Sequence, residues 1–261
     1  MTPQPRLLDY DLGQGVRAFS TTRHGGCSKG THGSFNINEY CGDLPEHILA
    51  NKQALATVLG IPTENIVMPH QTHQTEVRRI GTEFLSLPET VRKMVLEGVD
   101  ALVTDLAGIC IGVSTADCIP VALYDEEHHA IAAIHAGWRG TVARITSKAV
   151  AAMALNFHTN PSKLRAVIGP GISLDSFEVG QEVYDAFAEA AFDMDKVAKF
   201  SRKWHIDLPL CNRQLLIQAG IQEDNIQMAG ICTMKNADDF FSARALGTDS
   251  GRIFTGIMLT K

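Results

Sequence analysis

The stretch Ile119-Pro120-Val121-Ala122-Leu123-Tyr124, directly after Cys118, is an apolar run, and Ala130-Ile131-Ala132-Ala133-Ile134, directly before His135, is a second one. The polar segment Asp125-Glu126-Glu127-His128 separates them. Two such runs around a short polar break are typical of two β-strands joined by a tight turn. The sequence therefore predicts a hairpin at the centre of the fold, with Cys118 and His135 at its open end.

A turn centred on Glu126 and Glu127 would place Cys118 directly opposite His135. The two side chains would then share one face of the hairpin, with Cβ atoms about 5 Å apart. A thiol and an imidazole at that separation can bind one metal ion, or act together as a nucleophile and its base. A buried structural cysteine beside a strand-end histidine is the alternative interpretation.

Composition places the chain among ordinary globular proteins and excludes several functional classes. The 261 residues are 45% hydrophobic and 20% charged, and the net charge is −6. A negative chain without clustered Lys and Arg is not expected to bind nucleic acid or an anionic membrane. No signal-peptide core lies within residues 1–15, so we expect a cytoplasmic protein with six reduced cysteines. No feature of the sequence sets an oligomeric state.

Outside the hairpin, strand and helix patterns alternate irregularly. This irregularity predicts an α+β fold, a single domain over residues 1–261 with layered mixed β-sheets flanked by helices. A long polar loop is expected after Thr22, reaching Asp43. Predicted strands cover residues 16–21, 65–68, 75–80, 100–104, 109–114, 164–168, 226–231 and 253–259, and predicted helices cover 45–59, 181–191 and 208–219.

Two further helices are predicted from apolar spacing. Val142, Ile145, Ala149 and Met153 recur at helical intervals and predict one helix from Gly140-Thr141 to about Phe157. Residues 81–97 are ambiguous, and they predict a short helix with Val91, Met94 and Val95 facing inward.

A third ligand would convert the Cys118 and His135 pair into a metal site. His70 and His73 lie at a corner between two predicted strands, three residues apart. We favour His73, because His70 follows Pro69 and can serve to shape the turn, but from the sequence both remain candidates. One cysteine and two histidines would give zinc an open fourth position, as in catalytic sites, where a bound water acquires a pKa near neutrality.

Two arginines are candidates for binding phosphate. Arg139 lies beside the start of the helix that follows His135, and Arg23 lies beside Gly25-Gly26. Guanidinium groups and nearby backbone N–H groups together suit phosphate oxygens. A structural or surface arginine is the alternative at each position. Asp117 and Glu178 are candidate acids.

These residues lie within motifs that resemble the YfiH-type laccase-domain family, also called the polyphenol oxidase or purine nucleoside phosphorylase family. The pairing of Ala-Asp-Cys with His-Ala-Gly-Trp-Arg-Gly is highly specific to it. The matching segments extend nearly from end to end, and they are residues 20–28, 34–37, 42–43, 71–73, 100–104, 116–120, 135–140, 168–172, 177–180, 207–208 with Asn212, and 232–233.

The resemblance implies zinc ligands at His73, Cys118 and His135. Gln71 and Asn36, which lie within the matching motifs, join Arg139 and Arg23 as candidate substrate-binding residues. It also implies phosphate-dependent cleavage of adenosine, inosine, guanosine and methylthioadenosine, together with adenosine deamination. Some members are instead linked to editing of cell-wall precursors. The chain departs from the family at Gln74, where Gly is usual, and at Ala243, where Tyr is usual.

The copper chemistry in the family's name fits the residues poorly. Only three or four of the ten histidines are placed to meet, whereas a four-copper centre needs many converging imidazoles. Two imidazoles and one thiolate suit zinc by ligand type. The leading hypothesis is therefore a zinc-dependent purine nucleoside enzyme acting on nucleosides and phosphate, with a Cys118 and His135 hydrolase and a non-catalytic metal-binding module as the alternatives.

Overall fold

The computed structural model describes residues 3–260 and contains fourteen strands and nine α-helices in that range. Short 3-10 turns at Gly30–His32, Thr63–Asn65, Pro161–Lys163 and Glu223–Asn225 connect several of them. The strands are β1 Leu7–Tyr10, β2 Val16–Thr21, β3 Ile66–Val67, β4 Glu76–Arg79, β5 Val99–Thr104, β6 Cys110–Thr115, β7 Ile119–Asp125, β8 Ala130–Ala136, β9 Arg165–Ile168, β10 Glu178–Val179, β11 Ala198–Ser201, β12 Lys203–Ile206, β13 Ile226–Met228 and β14 Ile253–Leu259. The helices are α1 Pro45–Leu59, α2 Thr82–Ser86, α3 Glu89–Val95, α4 Trp138–Val142, α5 Ile145–Phe157, α6 Gln181–Glu189, α7 Met194–Val197, α8 Leu208–Gln218 and α9 Ala243–Leu246.

The strands form two large mixed sheets and one small sheet. The five-stranded sheet has the order β1-β2-β14-β6-β3, and the six-stranded sheet has the order β13-β9-β7-β8-β5-β4. Most neighbours are antiparallel, but β3 with β6, β4 with β5, and β13 with β9 are parallel pairs. The small sheet, β10-β12-β11, is antiparallel. The predicted class, mixed sheets flanked by helices, is confirmed.

The central hairpin, β7 and β8, is buried on both faces. Val121 and Leu123 face one apolar cluster, which they share with Met153 of α5 and with α8, whereas Ala122 and Tyr124 face the five-stranded sheet. Helix α1 covers the opposite face of that sheet, where Leu55 packs among its side chains. Burial on both faces explains why the hairpin strands are continuous apolar runs and do not alternate.

The hairpin register differs from the predicted one by two residues. His135 pairs with Pro120, and Asp125 pairs with Ala130, so the loop comprises residues 126–129. The Asp125 carboxylate stabilises this later turn by accepting hydrogen bonds from the backbone N–H groups of Glu127 and His128 at 3.0 and 3.2 Å. The predicted direct pairing of Cys118 with His135 is therefore wrong. Because the shift is an even number of residues, the two side chains still share one face.

Two helix predictions are also corrected. The single helix predicted from Gly140 to Phe157 is divided into α4 and α5, because Arg144 has a left-handed backbone (φ 62°). In α3, Val91 and Met94 are exposed, at 36% and 76%, and do not face inward. The bounds of β2, β7, α1 and β14 agree with prediction to within one residue. Within residues 3–260, no helix has both the length and the apolar character that a membrane span requires.

Candidate metal centre

Three potential metal donors meet at the open end of the central hairpin. One donor atom each from His73, Cys118 and His135 lies within 4.8 Å of the other two. Cys118 directly precedes β7, His135 lies near the end of β8, and His73 lies in the segment between β3 and β4. The two imidazole rings meet edge to face, with centroids 4.8 Å apart. The structure thus brings together the three residues that the resemblance implied.

Asp100, at the start of β5, holds two of the three donors in place. Its carboxylate accepts the Nδ1–H of His135 at 2.7 Å and the backbone N–H of His73 at 3.0 Å. It also accepts the backbone N–H groups of Thr72 and Gln74, at 3.3 and 2.8 Å. The contact with Nδ1 leaves Nε2 as the free nitrogen of His135, which is how a carboxylate orients a metal-binding histidine.

The role of Asp100 was missed from the sequence, although a signal was present. An acid at the start of an otherwise apolar, buried strand requires a partner, because an unpaired buried charge is costly. Asp100 is fully buried. The hydrogen bonds that it accepts also hold His73 in a left-handed backbone conformation (φ 63°), which is uncommon for a residue with a side chain.

Gly137 leaves the space in which the three donors converge. Its backbone is extended (φ −68°, ψ 170°), so glycine is not required here for conformational reasons. A Cβ at this position would lie 3.0 Å from both Cys118 Sγ and His73 Cδ2, and 3.7 Å from His135 Cε1. Because Gly137 has no Cβ, the three side chains have room to converge beside it.

The electrostatics of Cys118 and His135 favour the thiolate. Burial alone would raise the pKa of the Cys118 thiol, but the charge and hydrogen bonds of His135 and His73 outweigh it and lower that pKa to about 6. Burial alone would lower the pKa of His135, but Cys118 and Asp100 raise it to about 9. Two imidazoles and a thiolate with an open side are a donor set that zinc accepts, so the residues present fit a zinc ion.

The two candidate arginines have different surroundings. Arg139, in the first turn of α4, is exposed, and its guanidinium lies 4.3 Å from the centre of the Trp138 ring. Arg23 is half-buried. Its guanidinium donates to the carbonyl oxygens of Gly33 and Ala237, at 2.9 and 2.6 Å, and lies over the Phe241 ring. Arg139 is thus open to solvent, whereas Arg23 connects two segments of the chain.

Gln71 and Asn36 also make contacts within the protein. The Gln71 amide donates to the carbonyl oxygen of Ser114 and accepts its N–H, at 2.8 and 2.7 Å, which attaches the His73 segment to β6. Asn36 is buried, and it donates to Asp43 at 2.9 Å. Roles in substrate binding for these two residues stay predictions.

Other residues singled out from the sequence lie around the centre or away from it. The Asp117 carboxylate accepts the Thr233 hydroxyl and the Arg244 backbone N–H, each at 2.7 Å, and so connects the segment before β7 to α9 and to the segment after β13. Glu178 is exposed and pairs with Lys203. His70 donates to Glu97 and is not one of the three converging donors.

The two departures from the family pattern lie in different settings. Gln74 follows His73 and is exposed, and its backbone N–H donates to Asp100. Ala243 is the first residue of α9, one position before Arg244.

Comparisons with known proteins identify the family of this chain. A family model described as multi-copper polyphenol oxidoreductase laccase matches residues 17–260. A purine nucleoside phosphorylase of Bacteroides thetaiotaomicron is 45% identical, over 100% of this chain and 99% of that protein. An adenosine deaminase, RL5, from an unknown prokaryotic organism is 42% identical, over 94% of each chain. The crystal structure of the hypothetical protein YfiH from Bacillus licheniformis superposes with a TM-score of 0.86 and 29% identity, covering 94% of this chain and 93% of that one.

Proposed function

The chain belongs to the multi-copper polyphenol oxidoreductase laccase family, and from this premise we propose that it is a zinc-dependent purine nucleoside enzyme. The proposed reactions are phosphorolysis of adenosine, inosine, guanosine and methylthioadenosine, together with adenosine deamination. Relatives named purine nucleoside phosphorylase and adenosine deaminase support this choice of substrate class. We propose that residues 1–261 form one catalytic domain that acts in the cytoplasm, without nucleic acid or membrane as a partner.

The observation that carries the proposal is the convergence of His73, Cys118 and His135 on the space left by Gly137. Zinc bound there would supply a Lewis acid and lower the pKa of water toward neutrality. The protein's own contribution is orientation. Asp100 fixes the His135 tautomer and holds the backbone of His73, so both imidazoles are placed before any ligand arrives.

Arg139 is the proposed phosphate ligand. Cleavage of a glycosidic bond develops positive charge at the sugar, as in glycoside hydrolysis, so phosphate must approach on the face opposite the leaving purine. An exposed guanidinium stacked on Trp138 can bind two phosphate oxygens at once without first breaking an internal hydrogen bond. Arg23, Gln71 and Asn36 are proposed to shape the site through the segments that they hold.

Incubation with inosine and phosphate, followed by chromatography, tests the proposal. The expected result is hypoxanthine that forms only when phosphate is present, with adenosine giving adenine and inosine under the same conditions. The Cys118→Ala variant is the control for contaminating enzymes. Absence of phosphate-dependent hypoxanthine from the wild-type protein would contradict the phosphorolysis proposal.

A specific observation favours a second candidate, a thiol hydrolase acting on an amide such as a misloaded cell-wall precursor. Cys118, His135 and Asp100 are arranged in the order nucleophile, base and orienting carboxylate. This candidate predicts covalent labelling of Cys118 and an activity that survives chelation. Metal analysis of the purified protein, with and without Cys118→Ala, separates the two, because only a zinc ligand loses the metal when the thiol is removed.

Copper polyphenol oxidase activity is disfavoured by the donor set. Within residues 3–260, His73, Cys118 and His135 are the one group of three or more potential donors that converges. A single site with two imidazoles and one thiolate provides too few imidazoles for a multicopper centre.

A further inference from the structure

The small sheet has an open edge at β11. In the order β10-β12-β11, this strand lies at one end, and within residues 3–260 it pairs only with β12. Outside that pairing, residues 198–201 make no backbone hydrogen bond to another described residue. Lys199, Phe200 and Ser201 are all exposed. Every second residue of an edge strand directs its N–H and C=O groups away from the sheet, so β11 presents backbone groups with which an added strand can pair.

Three aromatic rings form a contiguous group that ends at this edge. The Tyr184 and Trp204 rings are stacked, with centroids 3.9 Å apart. The Phe200 ring, on the residue that pairs with Trp204 across the ladder, meets the Trp204 ring edge to face at 5.0 Å. Phe200 is 62% exposed, the highest value of any Phe, Tyr or Trp in residues 3–260. Edge strands that are protected against pairing do not normally expose an aromatic ring, whereas interface anchors are often aromatic.

The two faces of β11 carry different chemistry. Side chains alternate between the faces of a strand, and the pairing of Phe200 with Trp204 and of Lys199 with His205 fixes which residues share a face. Phe200 therefore lies on the aromatic face, and Lys199 lies on the opposite one. An added strand would place alternate side chains beside the Phe200 ring and beside the Lys199 ammonium group.

The edge is cationic, although the net charge of the chain is −6. Residues 196–206 contain no acid and four cations, which are Lys196, Lys199, Arg202 and Lys203. Lys196 and Lys203 form ion pairs with acids of neighbouring segments. Lys199 and Arg202 are exposed and form no ion pair with any residue of the range 3–260. Pairing of this edge with a second copy of itself would bring like charges together, whereas acidic side chains would complement them.

We propose that β11 is a docking site for an extended acidic segment of a partner protein, which adds a strand to the small sheet. The backbone of that segment pairs with β11, its apolar side chains pack on Phe200, and its alternate acidic side chains pair with Lys199. In this mode of recognition, backbone pairing supplies affinity and the alternating side chains supply specificity. None of these residues belongs to the metal centre, so docking at β11 is separable from the proposed activity.

Fluorescence polarisation of a labelled synthetic peptide tests the proposal. The probe alternates Glu and Val over about ten residues, the upper length of an ordinary strand. One control peptide alternates Lys and Val, and the other alternates Glu and Pro. We expect the wild-type protein to bind the Glu-Val peptide at least about tenfold more tightly than either control. Lys side chains would be repelled by Lys199, and Pro has no N–H to donate to β11.

A charge exchange on the protein separates docking from general damage to the fold. Lys199→Glu should weaken binding of the Glu-Val peptide at least about tenfold and strengthen binding of the Lys-Val peptide by a similar factor. Phe200→Ala should weaken binding of the Glu-Val peptide about 5- to 20-fold, because an apolar contact is lost. Lys29→Glu and Met94→Ala, at exposed positions outside the small sheet, are the matched controls and should leave binding within about twofold.

Three results would each overturn the proposal. They are no binding of the Glu-Val peptide up to about 1 mM, equal binding of the Glu-Pro peptide, and binding that is unchanged by both Lys199→Glu and Phe200→Ala. Tighter binding of phosphatidylglycerol vesicles or of oligouridylate than of the Glu-Val peptide, with the same dependence on Lys199, would also overturn it. The surface would then belong to a membrane or to single-stranded RNA.

Discussion

Two regions of this molecule combine glycine, arginine and buried polar groups, and the structure uses them in opposite ways. One is the ligand corner, which we define as Gly137-Trp138-Arg139 with the three converging donors. The other is the N-terminal loop, residues 22–43, which contains Arg23. From the sequence, both are candidates for binding an anion. In the structure, the Arg139 guanidinium of the ligand corner is exposed, whereas the Arg23 guanidinium of the loop donates to two backbone carbonyl oxygens.

The polar groups of the N-terminal loop hydrogen bond with one another and with helix α1. Asn51 of α1 is fully buried, and its amide donates to the carbonyl oxygen of Asn36 at 2.9 Å and to the Ser28 hydroxyl at 3.0 Å. Its amide oxygen accepts the Cys27 N–H at 3.0 Å. The Asp43 carboxylate accepts the Ser28 hydroxyl. These polar groups are satisfied within the protein, which is the arrangement of a structural network.

The difference shows that residue type alone does not distinguish a structural polar residue from a functional one. The hydrogen-bond partners of the residue do. In the ligand corner, Asp100 accepts the hydrogen bond from Nδ1 of His135 and leaves Nε2 free. In the loop, the Arg23 guanidinium is engaged on both sides. Substitutions in the ligand corner should therefore change activity with the fold retained, and those in the loop should do the reverse.

The largest expected effect is that of Cys118→Ala. Removing the thiolate leaves two imidazoles, so zinc content and activity should both fall, activity by at least about a thousandfold. Cys27→Ala, at a half-buried thiol of the N-terminal loop, is the matched control and should leave activity within about twofold. Zinc analysis and initial rates measure both. Equal losses from the two variants would remove the distinction between the regions.

The same two cysteines should differ in acidity when the protein is stripped of metal. Burial raises the pKa of the Cys27 thiol above its ordinary value, whereas His135 and His73 overcome burial and lower that of Cys118 to about 6. Cys118 should therefore be mostly thiolate at pH 7 and lose reactivity as the pH falls through about 6. The rate of alkylation at each site, followed by mass spectrometry against pH, measures this. A midpoint for Cys118 near that of an ordinary thiol, about 8.5, would contradict the prediction.

Gly137→Ala should reduce activity about 10- to 100-fold while the protein stays folded. The added methyl group would lie 3.0 Å from Cys118 Sγ and His73 Cδ2, which is closer than side chains normally approach, so the donors must separate. Displacement of catalytic groups by a fraction of an ångström has costs of this order. Gly180→Ala is the control, because the three atoms nearest to its new methyl group all belong to the flexible Glu182 side chain. Activity assays with thermal denaturation of both variants decide the result.

Asn51→Ala should destabilise the protein by about 2–4 kcal/mol, because several buried loop groups lose their partner, at about 1–3 kcal/mol for each group left unsatisfied. Urea denaturation measures the free energy of unfolding. Gln53→Ala, on the exposed side of α1, should change it by less than about 0.5 kcal/mol. If Asn51→Ala instead lowered activity in a fully stable protein, the loop would belong to the site.

Much of the architecture could be predicted from the sequence because burial on both faces leaves long apolar runs. Strand β7, the α1 helix after Pro45 and the final strand all agree with prediction to within one residue. The hairpin register was not predicted, because it depends on which side chain caps the turn, and with Asp125 as the cap the turn is centred one residue later than symmetry suggests. The break at Arg144 has no signal in apolar spacing, since a left-handed residue leaves the periodicity on both sides intact.

The candidate site could be predicted only in part, for a related reason. Cys118 and His135 follow from the hairpin, but the choice between His70 and His73 came from the resemblance, because the corner between β3 and β4 is irregular. Asp100 acts across strands, through hydrogen bonds to a segment 26 to 28 residues earlier. Contacts of that kind are set by the assembled sheets and have no local pattern.

The smallest expected effects are those of Arg139→Ala and Arg23→Ala, and these two variants compare the two regions most directly. Arg139→Ala should raise the KM for phosphate about tenfold, the loss of one charge-assisted contact, and leave the free energy of unfolding within about 0.5 kcal/mol because the side chain is exposed. Arg23→Ala should do the opposite. It frees the Gly33 and Ala237 carbonyl oxygens and should cost about 1–3 kcal/mol of stability, with the KM for phosphate unchanged.

Arg139→Lys refines this last prediction, because Lys keeps the charge and loses the planar fork. A KM between those of the wild type and Arg139→Ala would show that both charge and geometry contribute to phosphate binding. Steady-state rates at varied phosphate and fixed inosine, with urea denaturation of each variant, give the two quantities for both positions. If Arg23→Ala raised the KM for phosphate more than Arg139→Ala did, the assignment of the two regions would have to be exchanged, because the anion would then bind at the N-terminal loop.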